Sequence, residues 1–425
     1  MARFGGAREV GFSSLGMMRL LEPLGLLVSL ILIVILVMKR TNYGAALLIG
    51  ALILALFSSL TPEELFKIFF EALTDPSTWD LALITTLIPI LAFCMRKTGM
   101  VDGLVASMRA SLPARATLAF LPALMGALPM PGGALLSAPL IEDEGKRLRL
   151  TREEESFINV WFRHWNFFVY PLSSTLILVS SLSGVSMFTL IKVQFLPLIL
   201  YLILGYIFSL RGISEYRKDN EARAKEKFRA GELFRSVLLN ASPIIISILL
   251  NALGLPIVIA LLLGITSIFV LKRIEFKGIV RLLVDGFDWK PAFAIIGVMC
   301  FRYMVKESGG VEGILPYSEG LGLPPTILLL LITWMIGFTT AMPTAAVAMI
   351  FPMAISMMGS MDSILTCILY LTIIFSYIIS PMHLCLILTI EYYESQLQKV
   401  YRRLIPASLV SYTVSLAIIL ATFYT

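Results

Sequence analysis

The sequence is poor in charged residues, in histidine and in the short motifs of enzymes. Charged residues make up 15% of the chain, and the only histidines are His164 and His383. It contains no His-Glu-x-x-His zinc motif, no Gly-x-Ser-x-Gly nucleophile motif and no phosphate loop of the Walker type. We therefore predict that the protein is not an enzyme, that it holds no organic cofactor, and that no nucleotide drives it.

Cysteine is also scarce, with four residues in a chain of 425. Cys94, Cys300, Cys367 and Cys385 all lie in apolar stretches and lack the spacing of metal ligands. A disulfide framework is not expected in such stretches. We predict that all four are small core residues.

Apolar residues, by contrast, make up 58% of the chain, and the mean hydropathy of +0.88 exceeds that of soluble domains. Stretches close to the roughly 20 residues that cross a bilayer as a helix recur throughout. The 34 Lys and Arg residues lie in the loops between these stretches, which argues for topology signals and against nucleic acid as a partner. The sequence thus predicts an all-α polytopic protein of the lipid bilayer. Ten spans are predicted, over 22–38, 43–60, 80–95, 156–183, 187–210, 236–253, 255–271, 291–305, 362–390 and 405–424.

Two further apolar regions, 115–141 and 323–358, are interrupted near their middle by Pro129–Gly133 and by Ala341–Thr344. Proline lacks an N–H and restricts the preceding residue, whereas glycine permits a reversal of the chain. Each interruption therefore predicts a re-entrant hairpin. The alternative is an ordinary span with a proline kink.

The chain also contains an internal repeat with an offset near 210 residues. Gly99-Met-Val-Asp-Gly aligns with Gly309-Gly-Val-Glu-Gly, Pro131 with Pro343, and Pro171 with Pro381. Amphipathic connectors over 62–73 and 273–287 occupy matching places. The prediction is a polar N-terminal tail (1–19), a first repeat (20–210), a linker (211–235) and a second repeat (236–425), each repeat having five transmembrane helices and one re-entrant hairpin. An odd number of crossings makes the two repeats inverted.

Charge predicts the orientation. The linker 211–235 has eight basic and five acidic residues, which favours the cytoplasmic side. Counting membrane crossings from this linker places both termini on the outer side of the cytoplasmic membrane. Arg3, Arg8 and Arg19 in the tail disagree with this orientation. The first span ends without a small-residue cleavage site, so we predict that it is retained.

The interruptions are the candidate binding sites, because an unwound backbone inside a membrane must be buried in protein or line a watery cavity. Helix N-termini at the hairpin tips would attract an anion, as would a charge at Arg163, about 10 Å along its helix from Ser156. Small residues at the tips could instead serve helix packing, and Arg163 could instead reach the cytoplasmic surface. The predicted substrate-binding residues are Pro131, Gly132, Gly133, Ser137, Arg163, Thr339, Thr340, Pro343 and Thr344.

A coupling ion is predicted at the two proline-broken spans. Neutral oxygens at such breaks can bind Na⁺, and no Asp or Glu lies in the middle of a span to relay protons. The alternatives are H⁺ carried by His383 and ordinary hydrogen bonding between helices. The predicted coupling-ion residues are Asn166, Ser173, Ser174, Thr175, Ser376, Ser380 and His383.

With its two tips and two broken helices, the sequence resembles the ion transporter superfamily of secondary carriers, which includes gluconate, citrate, dicarboxylate and arsenite permeases. It is most similar to a poorly characterised prokaryotic permease family within that superfamily. The Ser-Asn-Thr triplets of the dicarboxylate carriers are missing here, so their ligand assignments are not carried over. The resemblance implies a homodimer with a scaffold part and a moving part that carries small organic anions with Na⁺ or H⁺ by alternating access. The alternative functions are those of an ion channel and of an intramembrane enzyme.

Overall fold

The computed structural model describes residues 10–128, 133–213, 230–311, 313 and 322–423. Within these ranges the chain is helical and contains no β-strand, which confirms the predicted all-α class for the described residues. Two predicted substrate residues, Pro131 and Gly132, and most of the predicted linker lie outside the described residues.

The helices before the linker begin with α1, whose first residue, Val10, lies inside the predicted tail. The span predicted over 156–183 is divided into α8, α9 and α10. A π-helical turn, Tyr206–Leu210, continues α11. The bounds are α1 Val10–Met38, α2 Tyr43–Phe57, α3 Pro62–Thr74, α4 Pro76–Lys97, α5 Met100–Ser111, α6 Ala114–Ala127, α7 Gly133–Leu148, α8 Arg152–Arg163, α9 Asn166–Val169, α10 Ser174–Ser183 and α11 Met187–Gly205.

The helices after the linker follow a similar order, with a short amphipathic helix, α14, before the next long one. The span predicted over 362–390 is again divided, into α18 and α19. The bounds are α12 Ala230–Ala252, α13 Ile257–Leu271, α14 Phe276–Gly286, α15 Lys290–Glu307, α16 Pro325–Thr340, α17 Pro343–Met358, α18 Ser363–Ile378, α19 Leu384–Tyr393 and α20 Leu397–Phe423.

Six helical segments of the described chain are long and apolar enough to cross a membrane. Each coincides with one of the ten predicted spans. The other four predicted spans correspond to α2 and α13, which have 15 residues each, to α15, and to the divided pair α18 and α19. The six are Leu21–Met38, Pro76–Lys97, Arg152–Ser183, Met187–Leu210, Phe234–Ala252 and Leu397–Thr422.

Helix ends are fixed by local sequence. Thr61 and Thr151 each begin a helix through a reciprocal capping box with the glutamate three residues later. At the other end, α1, α7 and α13 are followed by Arg40, Arg149 and Arg273, which have φ of 61°, 56° and 50°. The next residue donates its N–H to the carbonyl five residues earlier, as in a Schellman motif. Glycine is the usual residue at this left-handed position.

The helices pack in two groups. The first helix group contains α1–α5 and α12–α15, in which α4 and α15 pack against each other, α2 packs on α15, and α13 packs on α4. The second helix group contains α6–α11 and α16–α20, in which α11 packs on α20 and the arms α6 and α7, like α16 and α17, lie against each other. Arms that pack side by side form helical hairpins, whereas the arms of a kinked span would meet at one end only. Contacts between the groups include α15 with α17, α1 with α16, and α4 with α10.

An aromatic cluster holds the second helix group together. The Trp161 and Tyr201 rings stack with centroids 4.1 Å apart, and both side chains are fully buried. Each bonds the other's backbone, since Trp161 Nε1 donates to the Tyr201 carbonyl and the Tyr201 hydroxyl donates to the Trp161 carbonyl. Phe375 of α18 packs edge-on to Tyr201. This cluster fixes α8, next to the first break, against α11 and α18.

Candidate functional site

Gly133, the described residue of the first predicted tip, lies against a buried arginine. Helix α7 begins at Gly133, which is buried, and a Cβ on that glycine would overlap the guanidinium of Arg163. Arg163 is the last residue of α8 and is 7% exposed. Its Nη1 has no hydrogen-bond partner, and the side chain forms no ion pair within the described part of the chain. An arginine in this state is a binding partner for an anion.

The second hairpin tip is formed by Ala341, in the left-handed region with φ of 47°, and by the extended Met342. Pro343 is then the first residue of α17, where its missing N–H costs nothing. The hydroxyl of Thr344 lies 3.2 Å from that of Thr175, at the start of α10. The second tip therefore contacts the first broken helix.

Two other predicted tip residues have local partners. The hydroxyls of Thr339 and Thr340 donate to the carbonyls of Met335 and Ile336, one turn back in their own helix. Such bonds satisfy the hydrogen-bonding capacity of a hydroxyl within its own helix, so that no ligand is needed. Of the predicted residues at the second tip, Thr344 is the one that reaches another element through its hydroxyl.

Each broken helix is bonded to a hairpin arm. Asn166 Nδ2 donates to the Gly126 carbonyl at the end of α6, and the Ser380 hydroxyl donates to the Phe338 carbonyl near the end of α16. The backbone is non-helical over 170–173 and 379–383, which confirms the two predicted interruptions. Asn166 Oδ1 is buried and has no partner in the described structure. An oxygen in this state is an available cation ligand.

The remaining predicted coupling residues differ in their surroundings. Ser376 is fully buried and donates to the Ile373 carbonyl of its own helix. Ser173 is buried beside Tyr370, whereas Ser174 is half-buried at the start of α10. The structure therefore does not gather the seven residues into one cluster: Thr175 bonds the second tip, Ser380 bonds α16, and His383 faces a histidine.

Ser137, a predicted substrate residue, is part of a buried polar network. Its hydroxyl lies 2.6 Å from Asn159 Oδ1, and Asn159 Nδ2 donates to the Ala134 carbonyl and to the Thr389 hydroxyl. Ser137 and Asn159 are both fully buried. The network ties α7 to α8 and α19. Asn159 was not predicted from the sequence, because a single asparagine in an apolar span is also explained by ordinary hydrogen bonding between helices.

The two histidines meet, although 219 positions separate them in the sequence. The His164 and His383 ring centroids lie 4.7 Å apart, and the Tyr377 ring lies 4.0 Å from His383. Cys385 lies beside them. His164, Tyr377 and Cys385 were not among the predicted site residues. The run Arg163-His164-Trp165-Asn166, polar inside an apolar span, was the available signal for His164.

All four cysteines are free thiols. Cys94, Cys300 and Cys367 are buried, which confirms the prediction of core residues for these three, whereas Cys385 is half-buried. A separate apolar cavity of about 830 Å³ lies between α6, α8 and α11, with Phe120, Phe162, Trp165 and Leu198 in its wall. None of the predicted substrate or coupling residues lines this cavity. The polar breaks and the apolar cavity are thus different places.

Apolar helices, hairpin arms and a buried unpaired arginine together are consistent with a multi-pass membrane protein. The chain belongs to a protein family of unknown function, DUF401, whose model matches residues 21–422. No curated protein matches the sequence. The family match covers both hairpins and both broken helices.

Proposed function

We propose that the protein is a secondary active transporter that carries a small organic anion, of the carboxylate kind, together with Na⁺ or H⁺ by alternating access. The observation that carries the proposal is the buried Arg163 guanidinium, which lies against Gly133 at the first tip and has an unpaired Nη1. A buried charge without a partner is costly. A carboxylate substrate would supply the missing partner with bidentate geometry.

The hairpins support the same ligand class. Helix α7 begins at Gly133 and α17 begins at Pro343, so two helix N-termini lie at the tips. The first N–H groups of a helix lack intrahelical partners and attract negative charge. Thr344 adds a hydroxyl at the second tip. These groups are the donors that a small carboxylate needs.

The coupling ion is proposed to be Na⁺, bound by oxygens at the first break. The unpaired Asn166 Oδ1 and the free carbonyls of the non-helical segment 170–173 support this choice. H⁺ is the rival, with His383 as its carrier. The described spans contain no buried acid at a break that would serve instead.

We further propose that the chain is built from two inverted repeats. Under this proposal α1–α4 correspond, in order, to α12–α15. The packed pair α1 and α2 then corresponds to the packed pair α12 and α13. The packed pair α2 and α15 likewise corresponds to the packed pair α13 and α4. In two further packed pairs, α4 with α15 and α11 with α20, each helix is the counterpart of the other. Ser29 bonds the Gly50 carbonyl between α1 and α2, and Ser247 lies against Gly264 between α12 and α13. This pattern is what a twofold relation between halves predicts.

The wider placement rests on resemblance. We propose membership of the ion transporter superfamily, a homodimer in the cytoplasmic membrane, and both termini outside. The two helix groups are candidates for the scaffold part and the moving part. Few of the side chains of Phe234–Ala252 are buried within the chain, which leaves that helix a large surface for lipid or a second copy.

Substitution of Arg163 tests the proposal. Purified protein is titrated with mono-, di- and tricarboxylates by calorimetry and thermal shift. Arg163→Gln should weaken binding at least about 30-fold, because losing one partner of a buried charge pair costs about 2 kcal/mol or more. Arg163→Lys keeps the charge but not the planar fork, so its affinity should fall between those of wild type and Arg163→Gln.

The matched control is Arg109→Gln, which removes an arginine that pairs with Asp143 at a partly exposed position of α5. It should bind like wild type. The proposal is wrong if no carboxylate stabilises the wild-type protein, or if folded Arg163→Gln binds as tightly as wild type.

A further inference from the structure

A cluster of two imidazoles and a thiol lies between α8 and α19. One donor atom from each of His164, His383 and Cys385 lies within 4.8 Å of the other two. His164 directly follows α8, His383 precedes α19, and Cys385 is in the first turn of α19. Because α8 and α19 pack against each other, residues from distant parts of the sequence converge here.

The hydrogen bonds of the two rings fix which nitrogens are free. His164 Nδ1 lies 2.5 Å from the Val160 carbonyl, and His383 Nδ1 lies 3.4 Å from the Ile378 carbonyl. A carbonyl oxygen only accepts, so each Nδ1 carries the hydrogen and each Nε2 presents a lone pair. Histidines that bind metals are held in this way, with one ring N–H on a backbone carbonyl and the other nitrogen on the ion.

Nothing within the described structure satisfies one of these lone pairs. His383 is fully buried, and its Nε2 has no hydrogen-bond partner. His164 Nε2 lies 3.2 Å from the Tyr377 hydroxyl, whose hydrogen can turn toward it. Buried polar atoms are nearly always paired, so an unpaired acceptor beside a second imidazole and a thiol is an available metal ligand.

The donor set selects the class of ion. Imidazole nitrogen and sulfur suit Cu⁺ and Zn²⁺, whereas Na⁺, Mg²⁺ and Ca²⁺ take oxygen. Arg163, the residue before His164, adds a positive charge that has no ion-pair partner in the described structure. With a thiolate ligand, Cu⁺ forms a neutral centre, but Zn²⁺ leaves a net positive charge beside that arginine in apolar surroundings.

We propose that His164, His383 and Cys385 form a binding site for a monovalent soft metal ion, Cu⁺. Binding replaces the S–H bond of Cys385 with a sulfur–Cu⁺ bond, releases the proton to solvent, and leaves the oxidation state of the ion unchanged. Tyr377 lies at the edge of the site and orients His164 through its hydroxyl. The site shares His383 with the rival H⁺ carrier and lies next to Arg163, but metal binding needs neither substrate nor gradient, so it can be measured separately from anion transport.

Direct titration tests this site. Detergent-purified full-length protein is titrated anaerobically with Cu⁺ against a chromophoric Cu⁺ chelator, and with Ag⁺ as a redox-inert probe. We expect one tight equivalent per chain, with mixed nitrogen and sulfur ligands in X-ray absorption spectra. Cys385→Ser and His383→Gln should each weaken binding by more than about 100-fold, since loss of an outer-shell partner alone costs 10–100-fold.

Cys300→Ser and Cys367→Ser are the matched controls, because each removes a buried thiol outside the cluster. Both should keep the tight equivalent. Thermal unfolding without metal checks that each variant folds, and His164→Gln carries the same expectation if Cys385→Ser does not fold. The assignment is overturned if folded cluster variants bind Cu⁺ like wild type, if the controls lose binding equally, or if Zn²⁺ binds more tightly than Cu⁺.

Discussion

Single polar residues inside apolar helices are the basis of both proposals for this protein. The sequence predicted that Asn166 lies at a break, because Pro171 follows it, and that Arg163 is a charge inside an apolar span. It did not predict that His164 meets His383. That contact depends on the packing of α8 on α19, which joins segments whose local sequences contain no information about each other.

Asn166 provides a test of the coupling ion. Its Nδ2 bonds the end of α6 while its Oδ1 is free, so Asn166→Leu should remove a Na⁺ ligand. We expect the Na⁺ concentration that half-saturates uptake into proteoliposomes to rise at least about tenfold, equivalent to about 1.4 kcal/mol. The measurement compares an imposed Na⁺ gradient with an imposed pH gradient at matched membrane potential.

The control is Asn251→Leu, since Asn251 also has a buried unpaired Oδ1 but lies on α12, outside both breaks. It should leave the Na⁺ dependence unchanged. Uptake that a pH gradient drives alone, and that His383→Ala abolishes, would reject Na⁺ in favour of H⁺.

Asp75 provides a pH-dependent contribution to stability outside the spans. Its carboxylate accepts from Ser77 N at the start of α4 and from the Tyr303 hydroxyl of α15. Partial burial raises the pKa of Asp75, but these hydrogen bonds and the charge of Arg302 outweigh it and leave the pKa below its ordinary value. A depressed folded-state pKa means that the ionised form stabilises the fold above the ordinary pKa, and that this contribution is lost as the pH falls through the folded value.

Asp75→Asn should therefore lower stability at pH 7 by about 1 kcal/mol, because Asn still accepts at the helix cap but loses the negative charge that strengthens the hydrogen bonds from Ser77 and Tyr303. The difference in stability between Asp75→Asn and wild type should decrease as the pH falls below about 4, the unperturbed pKa of Asp. Thermal unfolding in detergent across this range measures it. Tyr303→Phe should cost less, and the double variant should cost less than the sum. A stability difference that stays constant from pH 7 to below pH 4 would disprove the role of the charge.

At the scale of elements, proline and glycine identified the interruptions correctly. The breaks at Pro171 and Pro381 and the amphipathic helices α3 and α14 lie where the sequence predicted them. Helix α5, Met100–Ser111, was not predicted, because it lies between the predicted span 80–95 and the interrupted apolar region 115–141. Hydropathy locates helices that are apolar throughout better than it locates short helices with polar residues.

The crossing of α2 and α15 tests the packing of the first helix group. A Cβ on Gly297 would overlap the Gly44 carbonyl oxygen, because the two backbones touch there. Gly297→Ala should destabilise the protein by about 1–3 kcal/mol, the usual range for overpacking. Unfolding temperatures in detergent would show it. Gly212→Ala places the same methyl in open space and should change nothing. Equal unfolding temperatures for both variants would contradict the close crossing.

At the scale of the whole molecule, the two-repeat organisation is a proposal, supported by the correspondence of packed helix pairs. A sequence offset near 210 residues could suggest two related halves, but which helices pack across the halves depends on the three-dimensional arrangement. The orientation of the halves in a bilayer is a separate question. Labelling from each side of the membrane answers it.

Single cysteines at Ser77 and Ser318, in a background without the native cysteines, should react with an impermeant thiol reagent from outside. A cysteine at Ala224 should react only from inside. Ser77 is exposed, whereas positions 318 and 224 lie outside the described residues. Labelling of Ser77 and Ser318 from opposite sides would rule out the inverted repeat.

Three helix ends carry an arginine where glycine is the usual residue. Arg40, Arg149 and Arg273 occupy the left-handed position after α1, α7 and α13, a position that Gly99 occupies after α4 and Gly184 after α10. Glycine would relieve about 1 kcal/mol of strain at each arginine. Positive charge beside a span, however, determines which way the span enters the bilayer. In the proposed orientation, in which these three arginines face the cytoplasm, each would exchange conformational ease in the folded protein for a charge that acts while the nascent chain is being inserted.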